Sequence, residues 1–472
     1  MQFKARSIPI DFIVIGVIAL VLALITFPNH YFFRTHALDL GMFNQALYAL
    51  STGNSPIFTQ GLDGKLVPYF GDHFSVLLIL FVPFQWIFGS YALLIVQWIT
   101  AIFSFYFLRK LCLHFEFKEL VRYAILLLYG FSYGLIAAFG YDFHMNVIAA
   151  LLLIPLWYAF IARRNTLFFI LLSAILFSKE NTSLWMIFVA LVLFIEYFKD
   201  KERRVIALLT ALISLSYFLC VVLWWMPAIN EGQIAKTISD HYSIGSQVTS
   251  SGDFFLQMVK SPDVVFHKLT NTVIDGQRHS KFTSLFFFLM GGGILLLFKP
   301  HFLLLAFPIF FQKYMSDNVL MWDVKYHYSA EFAPVLVIGA IYFLVRFRQS
   351  KWSIYLVSFI TVLSTYYTVR EIIRKDVRTN VFASQHYKSE IDRSDFKEVQ
   401  ELVENDASIA CSSNLSPHLS NRKKVFILPQ LIDAESVVVN NKVDSLYTTD
   451  SLFLKEYHRV FQTTELSVFR KN

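Results

Sequence analysis

Residues 8–28 read IPIDFIVIGVIALVLALITFP, an apolar run interrupted by one charge, Asp11, and preceded by Lys4 and Arg6. A helix crossing a bilayer core needs roughly 20 predominantly apolar residues, and this run supplies them. It is too long for a signal-peptide core and has no small-residue cleavage site, so it predicts an uncleaved first span with a cytoplasmic N-terminus. The segment that follows is then outside. The composition extends this reading to most of the chain, since 56% of the 472 residues are hydrophobic and only 16% are charged. A soluble domain lies nearer half apolar and a quarter charged. The last 103 residues hold 15 basic and 15 acidic side chains, so the whole excess of +7 falls in the first 369. Residues 1–369 therefore read as membrane domain and residues 370–472 as a soluble domain.

Further apolar runs occupy 91–108, 121–139, 146–162, 205–229, 283–298, 331–345 and 353–368, with shorter ones at 74–89, 166–178, 183–198 and 302–315. Charge placement arbitrates among them. A full span at 74–89 would put Arg109 and Lys110 outside and invert every later loop, so this run is expected to lie on the membrane surface or re-enter it. The stretch 166–198 would be roughly 50 Å long as one helix. Basic clusters bracket it at both ends, so it reads as a hairpin turning at Lys179-Glu180-Asn181 near the outer face. About eleven spans result. The basic clusters at 109–122, 163–164, 199–204, 299–301 and 346–351 then lie inside, and the tail lies outside. Two outer loops are large, 29–90 and 230–282. In the tail, a helix over 396–403 and strand-like pieces at 408–411, 425–428, 436–439 and 466–469 predict a small α/β domain. The basic residues are spread over short loops, which argues against nucleic acid as a partner. Cys112, Cys220 and Cys411 are too scattered for a disulfide framework or a cysteine metal site.

Ionisable groups at or below a membrane surface are costly and so mark function. Several converge on the outer face. Asp39 precedes an amphipathic stretch over 40–51, either as its N-cap or as a general base at the lipid–water boundary. His73, beside Asp72, is placed to donate to a phosphate. Asp142 and His144 share a very short turn, where they either cap it or hold a divalent cation or an anionic headgroup together. Lys179 and Glu180, at the hairpin tip, either pair with each other or present the ammonium to a lipid phosphate. His327 and Tyr328, next to Lys325 and Glu331, add another cluster. The Gly291-Gly292-Gly293 run lies inside an expected span and is read as a close-packing element. No Walker-type loop, His-Glu-x-x-His or Gly-x-Ser-x-Gly motif is present, which removes support for ATP-driven transport and for the common zinc and serine hydrolases.

With these residues in place, the chain resembles the GT-C superfamily of membrane glycosyltransferases. More closely, it is similar to a prokaryotic family of polytopic membrane proteins assigned to that superfamily. Asp39-Leu40-Gly41, His73-Phe74-Ser75, Asp142-Phe143-His144, Lys179-Glu180 and His327-Tyr328 carry the likeness. The resemblance implies a GT-C-like α-helical fold in a prokaryotic inner membrane and a polyprenyl-phosphate sugar donor. It also implies a catalytic acid in the first outer loop and a second acid in the next, positions held here by Asp39 and Asp142. The first-loop acid is a single Asp followed by Leu-Gly instead of an adjacent acidic pair. The expected activity is transfer of a sugar to an acceptor on the outer face. Asp39 would act as base, with His73, Asp142, His144, Lys179, Glu180, His327 and Tyr328 binding the donor's phosphate. The resemblance fixes no cofactor and leaves metal dependence open; any divalent cation would sit at Asp142 and His144. A transporter or lipid flippase would place charges at mid-membrane and show inverted repeats; a non-catalytic scaffold leaves the buried Lys and Asp unexplained.

Overall fold

The computed structural model describes residues 9–61, 64–231, 251–271, 273–274, 277–278, 281–404, 406–448 and 453–472. The first apolar run forms the helix Ile10–Tyr31. Asp11, in its first turn, is 1% exposed and is gripped by two guanidinium groups. Arg109 Nε lies 2.9 Å from its carboxylate and Arg122 NH2 3.1 Å. These three residues stand at the start of Ile10–Tyr31, the end of the helix Ala92–His114 and the start of the helix Glu119–Gly130. Those helix ends therefore share one face of the molecule.

Among the described residues five helical stretches are long and apolar enough to cross a membrane: Ile10–Tyr31, Val76–His114, Lys201–Ile229, His327–Arg346 and Lys351–Ile373. Glu119–Gly130 and Tyr133–Tyr141, bent by 44°, make a sixth if taken together. The protein is a multi-span helical membrane protein, with five or six full-length apolar helices among the described residues where hydropathy alone predicts about eleven. The helix Met145–Ile161 shows one cause of the difference. All its residues except Tyr158 and Ile161 are buried, so its apolarity reflects packing against other helices and not contact with lipid. Asn165–Leu176, the first arm of the expected hairpin, has 12 residues. It covers about 18 Å, well short of a bilayer core of about 30 Å.

The segment ahead of Ala92–His114, expected to lie on the membrane surface or re-enter it, is broken into Val76–Phe81 and Val82–Phe88. Leu80, Trp86 and Ile87 remain exposed along it. Gln85 donates to Asn421 of the tail at 2.7 Å, which places this segment on the tail's side of the molecule. The expected span at 283–298 is also interrupted. Its helix stops at Met290, and Gly292 adopts φ 110°, a left-handed conformation that favours glycine. The triple glycine is thus a helix break as well as a packing site. Much of the loop 230–282 lies outside the described residues.

The tail carries the helix Arg393–Leu402 and a five-stranded sheet, ordered Val425–Ile427, Ile409–Cys411, Ser436–Asn440, Leu466–Lys471, Tyr457–Gln462. The first three strands are parallel and the last two pairings antiparallel. Tyr457–Gln462 escapes the sequence reading because it is an edge strand whose residues after Tyr457 are largely exposed, so it shows no apolar alternation. The sheet docks onto the loop that follows the first helix. Gln45 donates to the Lys423 carbonyl at 3.0 Å and Thr59 Oγ1 to the Val425 carbonyl at 2.6 Å.

Candidate functional site

The amphipathic helix after Asp39 forms as Met42–Ser51, but its N-cap position is Gly41 and no side chain caps it. The capping reading of Asp39 fails, because the residue sits ahead of the helix at φ 76°, ψ −99°. A non-glycine residue in such a region costs on the order of 1–3 kcal/mol and persists only where its surroundings impose it. Here the tail and a neighbouring turn do so. On one side of Asp39, the His36 amide donates to Asp142 Oδ2 at 3.1 Å and the Ala37 amide to Ser413 Oγ at 3.3 Å. On the other, the Gly41 carbonyl accepts from Gln60 Nε2 at 2.9 Å, and the Ser416 hydroxyl in turn donates to Gln60. A Cβ at position 41 would overlap Gln60 Oε1.

The turn 141–144 is built by the residues around it. His144 caps the helix Met145–Ile161, its Nδ1 accepting the Asn146 amide at 3.2 Å. Gln97, fully buried in Ala92–His114, brackets the turn by donating to the Asp142 carbonyl and accepting the His144 amide, both at 3.3 Å. Asp142 faces the Asp39 loop through its bond to His36, and so acts as a strut between the two turns. Asp142, expected to share a cation with His144, is not in the group of three donors that come together. Instead a carboxylate oxygen of Asp39, a ring nitrogen of His144 and a ring nitrogen of His327 lie within 4.8 Å of one another. The His144 and His327 rings stack at 4.2 Å. His327 is 1% exposed, and neither of its nitrogens has a hydrogen-bond partner among the described residues.

Lys179 stands at the N-cap of the helix Glu180–Glu196 and is 7% exposed. The expected Lys179–Glu180 pair is absent among the described residues. Glu180 Oε2 accepts the Phe74 amide at 3.1 Å, and Asp72 pairs with His73 Nδ1 at 2.9 Å. Asp39, His73, His144, Lys179, Glu180 and Tyr328 all line one cavity of about 1050 Å³. Asp142 and His327 are outside its lining. Its other walls are largely apolar: Trp185 and Phe188 come from Glu180–Glu196, Phe218 and Val222 from the Lys201–Ile229 stretch, and Phe307 and Phe311 from the helix Leu303–Met315. Tyr141, at the head of the same turn, also lines the cavity, and so does Asn146, which sequence reasoning missed. Asn146 donates to Glu331 Oε1 at 2.8 Å. A polar residue in the first turn of an otherwise apolar helix was the available signal.

Burial dominates the electrostatics. Burial pushes the Asp39 carboxyl up to about 6, against the opposing pull of His73, Lys179 and the Tyr141 hydroxyl. Burial likewise raises Asp142 well above the ordinary carboxylate range. His144 is held well below an ordinary imidazole by burial and then by the neighbouring His327, Lys179 and His73. The cavity thus joins a proton acceptor and a cation at its polar end to an apolar chamber.

The sequence from 29 to 467 matches the family model described as "Predicted membrane protein (DUF2079)", and the chain belongs to that family. No curated protein matches the chain.

Proposed function

We propose that this member of the family is a glycosyltransferase of the GT-C type, which moves a sugar from a polyprenyl-phosphate donor to an acceptor at the outer face of a prokaryotic inner membrane. One observation carries the reading: Asp39 and Lys179 line the same cavity, whose remaining walls are largely apolar. A ligand with a charged head and a long hydrocarbon chain is the chemical class such a cavity suits. In the proposed reaction an acceptor hydroxyl or comparable nucleophile attacks the anomeric carbon while Asp39 takes its proton. The bond from that carbon to the phosphate oxygen breaks, and polyprenyl phosphate leaves with the electron pair. Lys179, His144 and His73 offset the charge that grows on the leaving phosphate, an electrostatic contribution that is usually the largest in such steps. His327, Glu180 and Tyr328 support this polar end, and Asp142 holds the loop that carries Asp39.

The orientation follows from the same reading. The face holding Asp11, Arg109 and Arg122 is cytoplasmic, and the tail and cavity face outward. Binding of the donor's lipid tests the proposal without knowledge of the acceptor. The purified chain in detergent is titrated with polyprenyl phosphate and the complex is followed by native mass spectrometry. Lys179→Met keeps the apolar stem but removes the ammonium, and should weaken binding by about tenfold or more, the scale of one charge-assisted hydrogen bond. A wild-type protein that binds no polyprenyl phosphate, or a Lys179→Met variant that binds it equally well, overturns the reading.

A further inference from the structure

We propose that Asp39, His144 and His327 form a site for a first-row transition-metal ion of the zinc class, open toward the cavity. The three residues come from three separate outer segments, yet their donor atoms already lie within 4.8 Å of one another. An ion about 2.1 Å from each donor would bring them to about 3.4 Å apart, and the His144 and His327 rings, stacked at 4.2 Å, would turn out of that stack to point a nitrogen each at the ion. Two imidazole nitrogens and one carboxylate oxygen suit zinc or ferrous iron, whereas magnesium and calcium favour all-oxygen sites. Asp39 and His144 line the cavity while His327 stands outside its lining, so a position left free on the ion would face the cavity.

His327 is the second and independent pointer. A buried imidazole with both nitrogens unpartnered is anomalous in a folded protein, and coordination through one of them would account for it. The His144 ring sets one condition. Its Nδ1 accepts the Asn146 amide at 3.2 Å, so binding through Nε2 moves the ring proton to Nδ1 and displaces that bond. One long N–H···N hydrogen bond is then exchanged for a metal–nitrogen bond. The added positive charge meets Lys179 nearby, but Asp72, Glu180 and Glu331 line the same cavity and offset it. A carboxylate has two oxygens, so Asp39 can hold the ion with one and still accept a proton with the other.

The inference does not depend on sugar transfer, and its test needs no transfer assay. The full chain in detergent is stripped with a chelator, dialysed against micromolar zinc chloride and then buffer, and its metal content measured by mass spectrometry. Wild type and the surface variant His114→Ala should retain one zinc per chain. His327→Ala and His144→Asn should lose it, with affinity reduced at least roughly tenfold. Asn is chosen at position 144 because it preserves the helix cap. If a variant fails to fold, cobalt-loaded wild type decides the matter: visible d–d bands that zinc displaces support the site, and their absence overturns it. Zinc-free wild type, or zinc retained in both His variants, also overturns it. A zinc-free protein that still binds polyprenyl phosphate would sink this site alone, and a zinc-loaded protein that binds none would sink only the transfer reading.

Discussion

Replacing Gly134 with alanine should disturb the cavity from behind, because the helix Tyr133–Tyr141 approaches the turn His327–Ser329 closely at that point. A Cβ at position 134 would lie 2.6 Å from the Ser329 carbonyl carbon, nearer still to its oxygen, and 3.2 Å from the Ala330 nitrogen. Ordinary contact begins at 3.4 Å, so the Ser329 backbone must retreat by at least 0.8 Å (3.4 − 2.6). The obstacle is backbone and not the end of a flexible side chain. Overpacking of this kind costs about 1–3 kcal/mol, and it outweighs the gain of up to about 1 kcal/mol that alanine brings to a helix. His327 is two residues from the displaced carbonyl. The displacement should therefore also weaken the proposed zinc site. Gly16→Ala is the matched control. It lies in the helix Ile10–Tyr31 with nothing within 4 Å of its would-be Cβ, so alanine there should stabilise by about 0.5–1 kcal/mol. Thermal unfolding in detergent, followed by tryptophan fluorescence, should give a lower midpoint for Gly134→Ala and an equal or higher one for Gly16→Ala. Zinc content should fall only in the first. The reasoning is refuted if Gly134→Ala matches wild type in both measurements, or if the two glycine variants lose stability equally.

Asp39→Asn should leave the fold nearly intact, within about 1 kcal/mol: asparagine also tolerates positive φ, and no helix cap is lost. Sugar transfer should nevertheless fall by roughly 10²–10⁴-fold, the usual contribution of a general base, while Asp72→Asn retains turnover; near-normal transfer by Asp39→Asn would exclude it as the base. At the opposite face, Asp11→Ala leaves Arg109 and Arg122 largely buried without their shared carboxylate. The thermal midpoint should show a loss on the order of 3–5 kcal/mol, and an unchanged midpoint would mean that water already serves those guanidinium groups.

The apolar runs by themselves determined that this chain is a helical membrane protein, because backbone amides in a lipid core can be satisfied only within helices or closed barrels, and runs such as 8–28 have helical length. The polar residues now found around the cavity were also legible, since Asp39, His73, His144 and Lys179 are costly wherever the membrane leaves them little water. The tail was read as α/β from its alternating buried strands, but its edge strand 457–462 has no apolar face to betray it. Hydropathy could not tell a helix surrounded by lipid from one surrounded by protein, and that distinction for Met145–Ile161 belongs to the packed structure. Nor could local pattern assign Asp39 and Asp142 their different places. Both precede helices in short turns, yet one is turned into the cavity by contacts to Ser413 and Gln60, while the other spends its carboxylate on the His36 amide. The meeting of Asp39 with His327, far apart in sequence, was decided by tertiary structure alone, because nothing local fixes the distance between side chains on helices that touch only after the whole bundle has packed.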